Sequence, residues 1–151
     1  MRVLIQRVNE ASVIIDKIEK SRIDKGLLIF VGIENEDDED DVEYLCNKIT
    51  NLRIFDDENG VMNKSVKEID GDILIVSQFT LHANTRKGNR PSYIKAAKPE
   101  ISTTLYVKFI EKMIHVFNKA VKTGEFGADM KVSLINNGPV TIWIDSKNKN
   151  Y

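Results

Sequence analysis

Cysteine is almost absent from this sequence: Cys46 stands alone among 151 residues, which excludes an internal disulfide framework. Histidine is nearly as scarce, with only His82 and His115. One cysteine and two histidines do not make a zinc-spaced cluster, so the sequence predicts chemistry without a metal or a cofactor. Long apolar runs are missing too. No stretch approaches the roughly 20 residues a membrane helix needs, and the N-terminus lacks the basic, apolar, small-residue order of a signal peptide. A cytoplasmic protein with no membrane partner is expected. Net charge is also lacking: 22 basic against 23 acidic residues leave −1. Nothing global draws the chain to nucleic acid, so an anionic partner must be met by a local patch.

What is present is the make-up of a globular domain, 42% hydrophobic and 30% charged. No repeat, linker or low-complexity segment divides the chain, so residues 1–151 read as one domain. Residues 1–8 and 11–15 read as two strands around an Asn9-Glu10 turn, and 16–25 as a second turn region. "GLLIFVGI", residues 26–33, is continuously apolar, as expected of a strand covered on both faces. "ENEDDEDDVE", residues 34–43, holds eight acids in ten. It lacks the glycine-punctuated spacing of a calcium loop and suits the acidic first turn of a helix over 38–51. Cys46 falls on the apolar face of that helix with Val42, Leu45, Ile49 and Leu52, where a structural thiol is expected.

"LRIF" predicts a short strand, "DDENG" a turn and "DILIV" another strand. Pro99 precedes a second helix over 101–119, its buried stripe Leu105, Phe109, Met113 and Phe117, with His115 on the wet face. Two strands, 130–136 and 140–144, flank "NNGP", and the tail "DSKNKNY" reads as loose. Two helices cannot cover both faces of seven or eight strands. The expected fold is therefore a mixed α/β one of layered, barrel-like sheets with two main helices, completed as a homodimer.

Two constellations carry the chemistry. In "SQFTL", Ser77, Gln78, Phe79 and Thr80 sit where a buried strand meets a loop, a common place for ligands. If the strand continued, Thr80 and His82 would share a face and pair as nucleophile and base. Otherwise the backbone N–H groups of Phe79 and Thr80 can face a developing oxyanion, which needs no base. Beyond them Arg86, Lys87, Arg90, Lys95 and Lys98 form a run without an acid. It suits phosphate contacts or simply balances the acidic helix start. The second constellation is "NNGPVT", residues 136–141. It is either a plain turn or, with a cis proline bond, a rigid pair of carbonyls for an ammonium group.

With "MRVLIQRV", "KGLLIFVGI", "NLRIFDDENG", "VSQFTL", "TRKGNRPSY" and "FGADMKVSLINNGPVT", the chain resembles the D-aminoacyl-tRNA deacylase family, also called D-tyrosyl-tRNA deacylase, over essentially its whole length. "SQFTL" and "GPVT" are that family's two signature motifs. The resemblance implies a deacylase-type fold and a homodimeric hydrolase acting on the ester of D-aminoacyl-tRNA, and on mischarged glycyl-tRNA. It implies that Ser77, Gln78, Phe79 and Thr80 form the catalytic segment. Gly138 and Pro139 would bind the substrate from across the subunit boundary, with Val140, Thr141 and Met130 also binding it. Arg86, Lys87 and Arg90 would meet tRNA. It also implies that the 2′-hydroxyl of the terminal ribose assists an activated water, while the protein supplies position and oxyanion stabilisation. His82 stands where relatives commonly carry Tyr, Asn84 and Asn89 where an acid and a basic residue are expected, and Asn137 where Asp is frequent. Two other readings compete: a nucleic-acid-binding accessory protein on the same fold, and a Ser/Thr hydrolase of small esters. Accessory relatives add a C-terminal extension, and a chain ending just after its last strand favours the enzyme.

Overall fold

A computed structural model describes residues 1–150. Strand β1 runs unbroken over Arg2–Ile15, followed by β2 (Ile18–Ile23) and β3 (Gly26–Gly32). Helix α1 (Glu39–Asn51), the short strands β4 (Phe55–Asp56) and β5 (Met62–Lys64), and β6 (Asp72–Ser77) come next. A 3-10 turn, Phe79–His82, precedes helix α2 (Pro99–Phe117), β7 (Lys122–Thr123) and β8 (Lys131–Asp145).

The main sheet has the order β2-β1-β3-β6-β7, with β8 paired to β1 and β4-β5 forming a separate ribbon. β3 and β6 pair in parallel; β1 is antiparallel to β2, β3 and β8. The sheet curls until its two ends meet, where the Ser21 hydroxyl donates to the Thr123 carbonyl at 2.8 Å. The barrel-like character expected of the fold is thus already present in one chain. On β3, Leu27, Ile29 and Val31 belong to the helix-covered core, while Leu28 faces a second apolar cluster with Val8, Val13, Leu74 and Val76. Continuous burial on both faces accounts for the continuous apolar run.

The acidic stretch starts α1. Asp38 caps it, accepting from the amides of Asp40 and Asp41, and Asp41 closes the capping box. Leu105, Phe109, Met113 and Phe117 of α2 are buried and His115 is exposed, as their spacing predicts. Lys112 Nζ lies 2.7 Å from Glu43 Oε1 across the two helices, and Lys108 pairs with Glu39. Burial of Cys46 pushes its thiol up to about 12, as befits a structural residue. No described helix is long and apolar enough to cross a membrane.

Four local expectations give way. Asn9-Glu10 is not a turn; β1 passes through it with irregular register against β8. Residues 16–25 hold a strand, β2, whose largely exposed residues give little apolar signal. "NNGP" does not join a hairpin, because both flanks pair with β1 in the same sense. The tail is tied down at Ser146, Lys147 and Lys149. Ser146 Oγ meets the Met1 ammonium at 2.8 Å, Lys147 Nζ meets Asp41 at 2.7 Å, and the Lys149 ammonium lies 4.1 Å from the Tyr44 ring centre. Tyr151, the last residue of that segment, lies outside the described residues.

Candidate active site

β6 ends at Ser77, and the chain turns at once into the 3-10 turn instead of extending. Gly32 permits this. A Cβ there would sit 2.9 Å from Leu81 Cβ and 3.0 Å from the Gln78 carbonyl oxygen. The Gln78 amide donates to the Val31 carbonyl at 2.7 Å, which locks the turn onto β3. The amides of Phe79 and Thr80 open the turn and have no hydrogen-bond partner among the described residues, as expected of its first N–H groups.

Beside this turn lies a cavity of about 340 Å³. Ser77, Gln78 and Phe79 line one side; Pro99, Ser102, Phe126 and Met130 line others. None of its lining residues is titratable, so the cavity walls supply no general base. Thr80 is not in that lining. Its hydroxyl accepts from Gln78 Nε2 at 2.6 Å. The Thr80–His82 pair that an extended strand would give does not form: the 3-10 turn breaks the alternation, and His82 is buried at 1% exposure. Neither His82 ring nitrogen has a hydrogen-bond partner of ordinary geometry. Burial lowers the imidazole's pKa, with the adjacent Gly32 backbone pulling the other way.

The second motif lies within β8. Gln6 pairs with Thr141 and Val8 with Asn136, so residues 137–140 bulge opposite Arg7 alone. The Gly138-Pro139 bond is cis, and Gly138 has φ +117°. A Cβ on Gly138 would lie 2.8 Å from Arg7 Nη2 and 3.0 Å from the Val140 amide nitrogen, so only glycine fits. Arg7 is a buried clamp, its Nε donating to the Asn137 carbonyl at 3.1 Å and its Nη1 to the Ile54 carbonyl at 2.7 Å. Asn136 Nδ2 reaches the carbonyls of Arg7 and Val140, both at 3.0 Å, while its Oδ1 accepts from Gln6 Nε2 at 3.1 Å. The Thr141 hydroxyl lies 3.2 Å from both Asn136 Oδ1 and the Pro139 carbonyl oxygen.

Gly138 and Pro139 are exposed, and none of Gly138, Pro139, Val140 and Thr141 lines the cavity. Met130 does, so one chain brings Met130 to Ser77–Phe79 and leaves the Gly-Pro bulge apart. Arg86, Lys87 and Arg90 are exposed on the loop after the turn, where Asn84 and Ser92 exchange hydrogen bonds at 2.8 and 2.9 Å. Sequence reasoning missed the cavity walls at Pro99, Ser102 and Phe126, and the Arg7 clamp. Their spacing carries no periodic signal, since each meets the site only through long-range packing.

A family model described as D-Tyr-tRNA(Tyr) deacylase matches residues 4–145. A Bacteroides fragilis protein named D-aminoacyl-tRNA deacylase is 66% identical over 149 residues, covering 99% of each chain. A Christiangramia forsetii protein of the same name is 62% identical over the same share of both. Among solved structures, one described as c-Myc DNA Unwinding Element Binding Protein superposes with a TM-score of 0.92 at 39% identity, covering 96% of this chain and 98% of that one. Another, a probable eukaryotic D-amino acid tRNA deacylase, has a TM-score of 0.81 at 18% identity over 95% and 97%, a likeness of fold alone.

Proposed function

The chain belongs to the D-Tyr-tRNA(Tyr) deacylase family, and from that premise we infer that it hydrolyses the ester joining a D-amino acid to tRNA, as translational proofreading in the cytoplasm. The observation that carries this reading is the 66% identity to a named D-aminoacyl-tRNA deacylase across 99% of both chains. Glycine, with no side chain to reject, is cleared from mischarged tRNA by the same site. Residues 1–151 act as one catalytic domain.

Water attacks the ester carbonyl, and the resulting oxyanion is held by the amides of Phe79 and Thr80. The tetrahedral species collapses, the ribose 3′-oxygen leaves with a proton, and free D-amino acid and tRNA result. The 2′-hydroxyl beside the ester assists the water, a role that the untitratable cavity wall leaves to the substrate. Ser77 and Gln78 shape the seat of the terminal adenosine, and Met130 lies on its far wall. Arg86, Lys87 and Arg90 approach phosphates.

The protein works as a homodimer in which the Gly138-Pro139 bulge of a second copy completes the cavity. β8 has no other strand beside it among the described residues and carries exposed Ile135 and Trp143, an apolar edge that favours covering. Carbonyls of the bulge, steadied by Val140 and Thr141, receive the substrate's α-ammonium. An L side chain then meets the wall and a D side chain points outward, so selectivity comes from excluding L-substrates.

A second reading rests on the 39% identical neighbour described as a DNA-unwinding-element binding protein. The match covers 98% of that solved chain, so where this chain ends does not separate the two readings. Hydrolysis of matched D-tyrosyl-, L-tyrosyl- and glycyl-tRNA does. Loss of the D and glycyl esters with the L ester intact is expected. Binding of nucleic acid with no hydrolysis of any ester would favour the second reading.

A further inference from the structure

A second hollow, of about 350 Å³, opens on the other side of the Phe79–His82 turn. Its lining includes Arg2, His82, Asn84, Thr85, Arg86 and Lys95, three cations and no acid. The Arg2 side chain and the loop backbone are held in place. Arg2 Nε donates to Asp145 Oδ2 at 2.8 Å and its Nη1 to the Leu81 carbonyl at 3.1 Å, which fixes the guanidinium while the carboxylate offsets part of its charge. The Arg86 amide donates to Asn84 Oδ1 at 2.9 Å, and the Asn84–Ser92 bridge ties down the base of the loop. His82 belongs to this lining at 1% exposure, and among the described residues its two ring nitrogens are the only buried side-chain nitrogen or oxygen atoms without a hydrogen bond of ordinary geometry, the Gly32 backbone being the neighbour that acts on the ring. A buried polar group left unsatisfied is costly, and one retained beside a basic hollow points to a ligand that completes it.

We propose that this hollow seats a phosphate group, with Arg86 and Lys95 supplying charge, Arg2 a fixed guanidinium, and the His82 imidazole its floor. A neutral imidazole still carries one N–H, so no protonation is required for it to respond to the anion. Given the deacylase reading, the phosphate is a backbone phosphodiester near the 3′ end of tRNA. The seat shares the Phe79–His82 turn with the amides that face the ester, and the Ala83 amide closes that turn on the Thr80 carbonyl at 3.0 Å. A phosphate held here registers the terminal ribose against those amides.

With only two histidines, the chain allows a direct test by imidazole NMR, His82 as probe and exposed His115 as internal reference. Titration of the whole protein with inorganic phosphate should move the His82 C2–H resonance saturably and leave His115 in place. Arg86→Ala with Lys95→Ala, both exposed side chains, should weaken that response by about fivefold or more while the unliganded His82 signal reports an intact fold. Uncharged tRNA should move the same resonance, and the double substitution should lower the salt dependence of tRNA binding by about two contacts' worth. If phosphate moves His82 but tRNA does not, the seat takes a free phosphate and the assignment to RNA is overturned. If His82 stays still with both, or His115 moves in step with it, the seat itself is overturned. Cleavage of D-tyrosyl-tRNA by the unsubstituted protein scores the deacylase reading separately.

Discussion

The two polar motifs of this chain solve opposite problems. Ser77–Phe79 sits at the closed end of a buried strand and lines a cavity built by its own chain, through Val31, Pro99, Phe126 and Met130. Gly138-Pro139 sits on a bulge of an outer strand, exposed, held from behind by Arg7 and Asn136, and does not line that cavity. The first is a pocket without a lid; the second is a rigid prong without a pocket. Under the proposed function the two motifs are half-sites that two chains exchange.

The comparison can be broken at either half. Phe79→Pro deletes one proposed oxyanion donor at the first position of a helical turn, where proline's φ is tolerated. It should lower kcat about 100-fold with the fold intact, as circular dichroism would check. Gly138→Ala places a Cβ against Arg7 and Val140 at a φ that L residues avoid. Displacement of the bulge by even 1 Å should cost about 100-fold in D-tyrosyl-tRNA hydrolysis, with cavity-side adenosine binding retained. Asn136→Ala removes two donated hydrogen bonds and should lower stability by about 1–2 kcal/mol, read as a drop in Tm, with a loss of turnover smaller than that of Gly138→Ala. Thr80→Ala should be the mildest, under about threefold in kcat, because its hydroxyl is occupied by Gln78 and no base attends it. A large loss there would restore the nucleophile reading.

Much of this was legible in the residues, and the illegible parts share a cause. "GLLIFVGI" announces a strand buried on both faces because burial is written locally in side-chain type. α1 is equally plain, since its cap, acidic first turn and apolar stripe are all neighbours in sequence. β8 misleads because "NNGP" has the same composition in a hairpin and in a bulge. What separates the two is the partner of each flank, and that partner is β1, more than 120 positions away. His82 misleads for a related reason. Alternation places it beside Thr80 only if the strand continues, and it stops because Gly32, on another strand, leaves room for the chain to fold back. The turn that lines the cavity is therefore marked by its motif, while the clamp on Arg7 and the remaining cavity walls needed the fold.

Co-expression of Phe79→Pro with Gly138→Ala tests the exchange of half-sites most directly. Each variant alone should be nearly inactive on D-tyrosyl-tRNA. In mixed dimers one of the two sites is built from an intact turn of one chain and an intact bulge of the other, so activity should return to about a quarter of the unsubstituted level. A mixture no more active than its parents would contradict the account and return both motifs to a single chain.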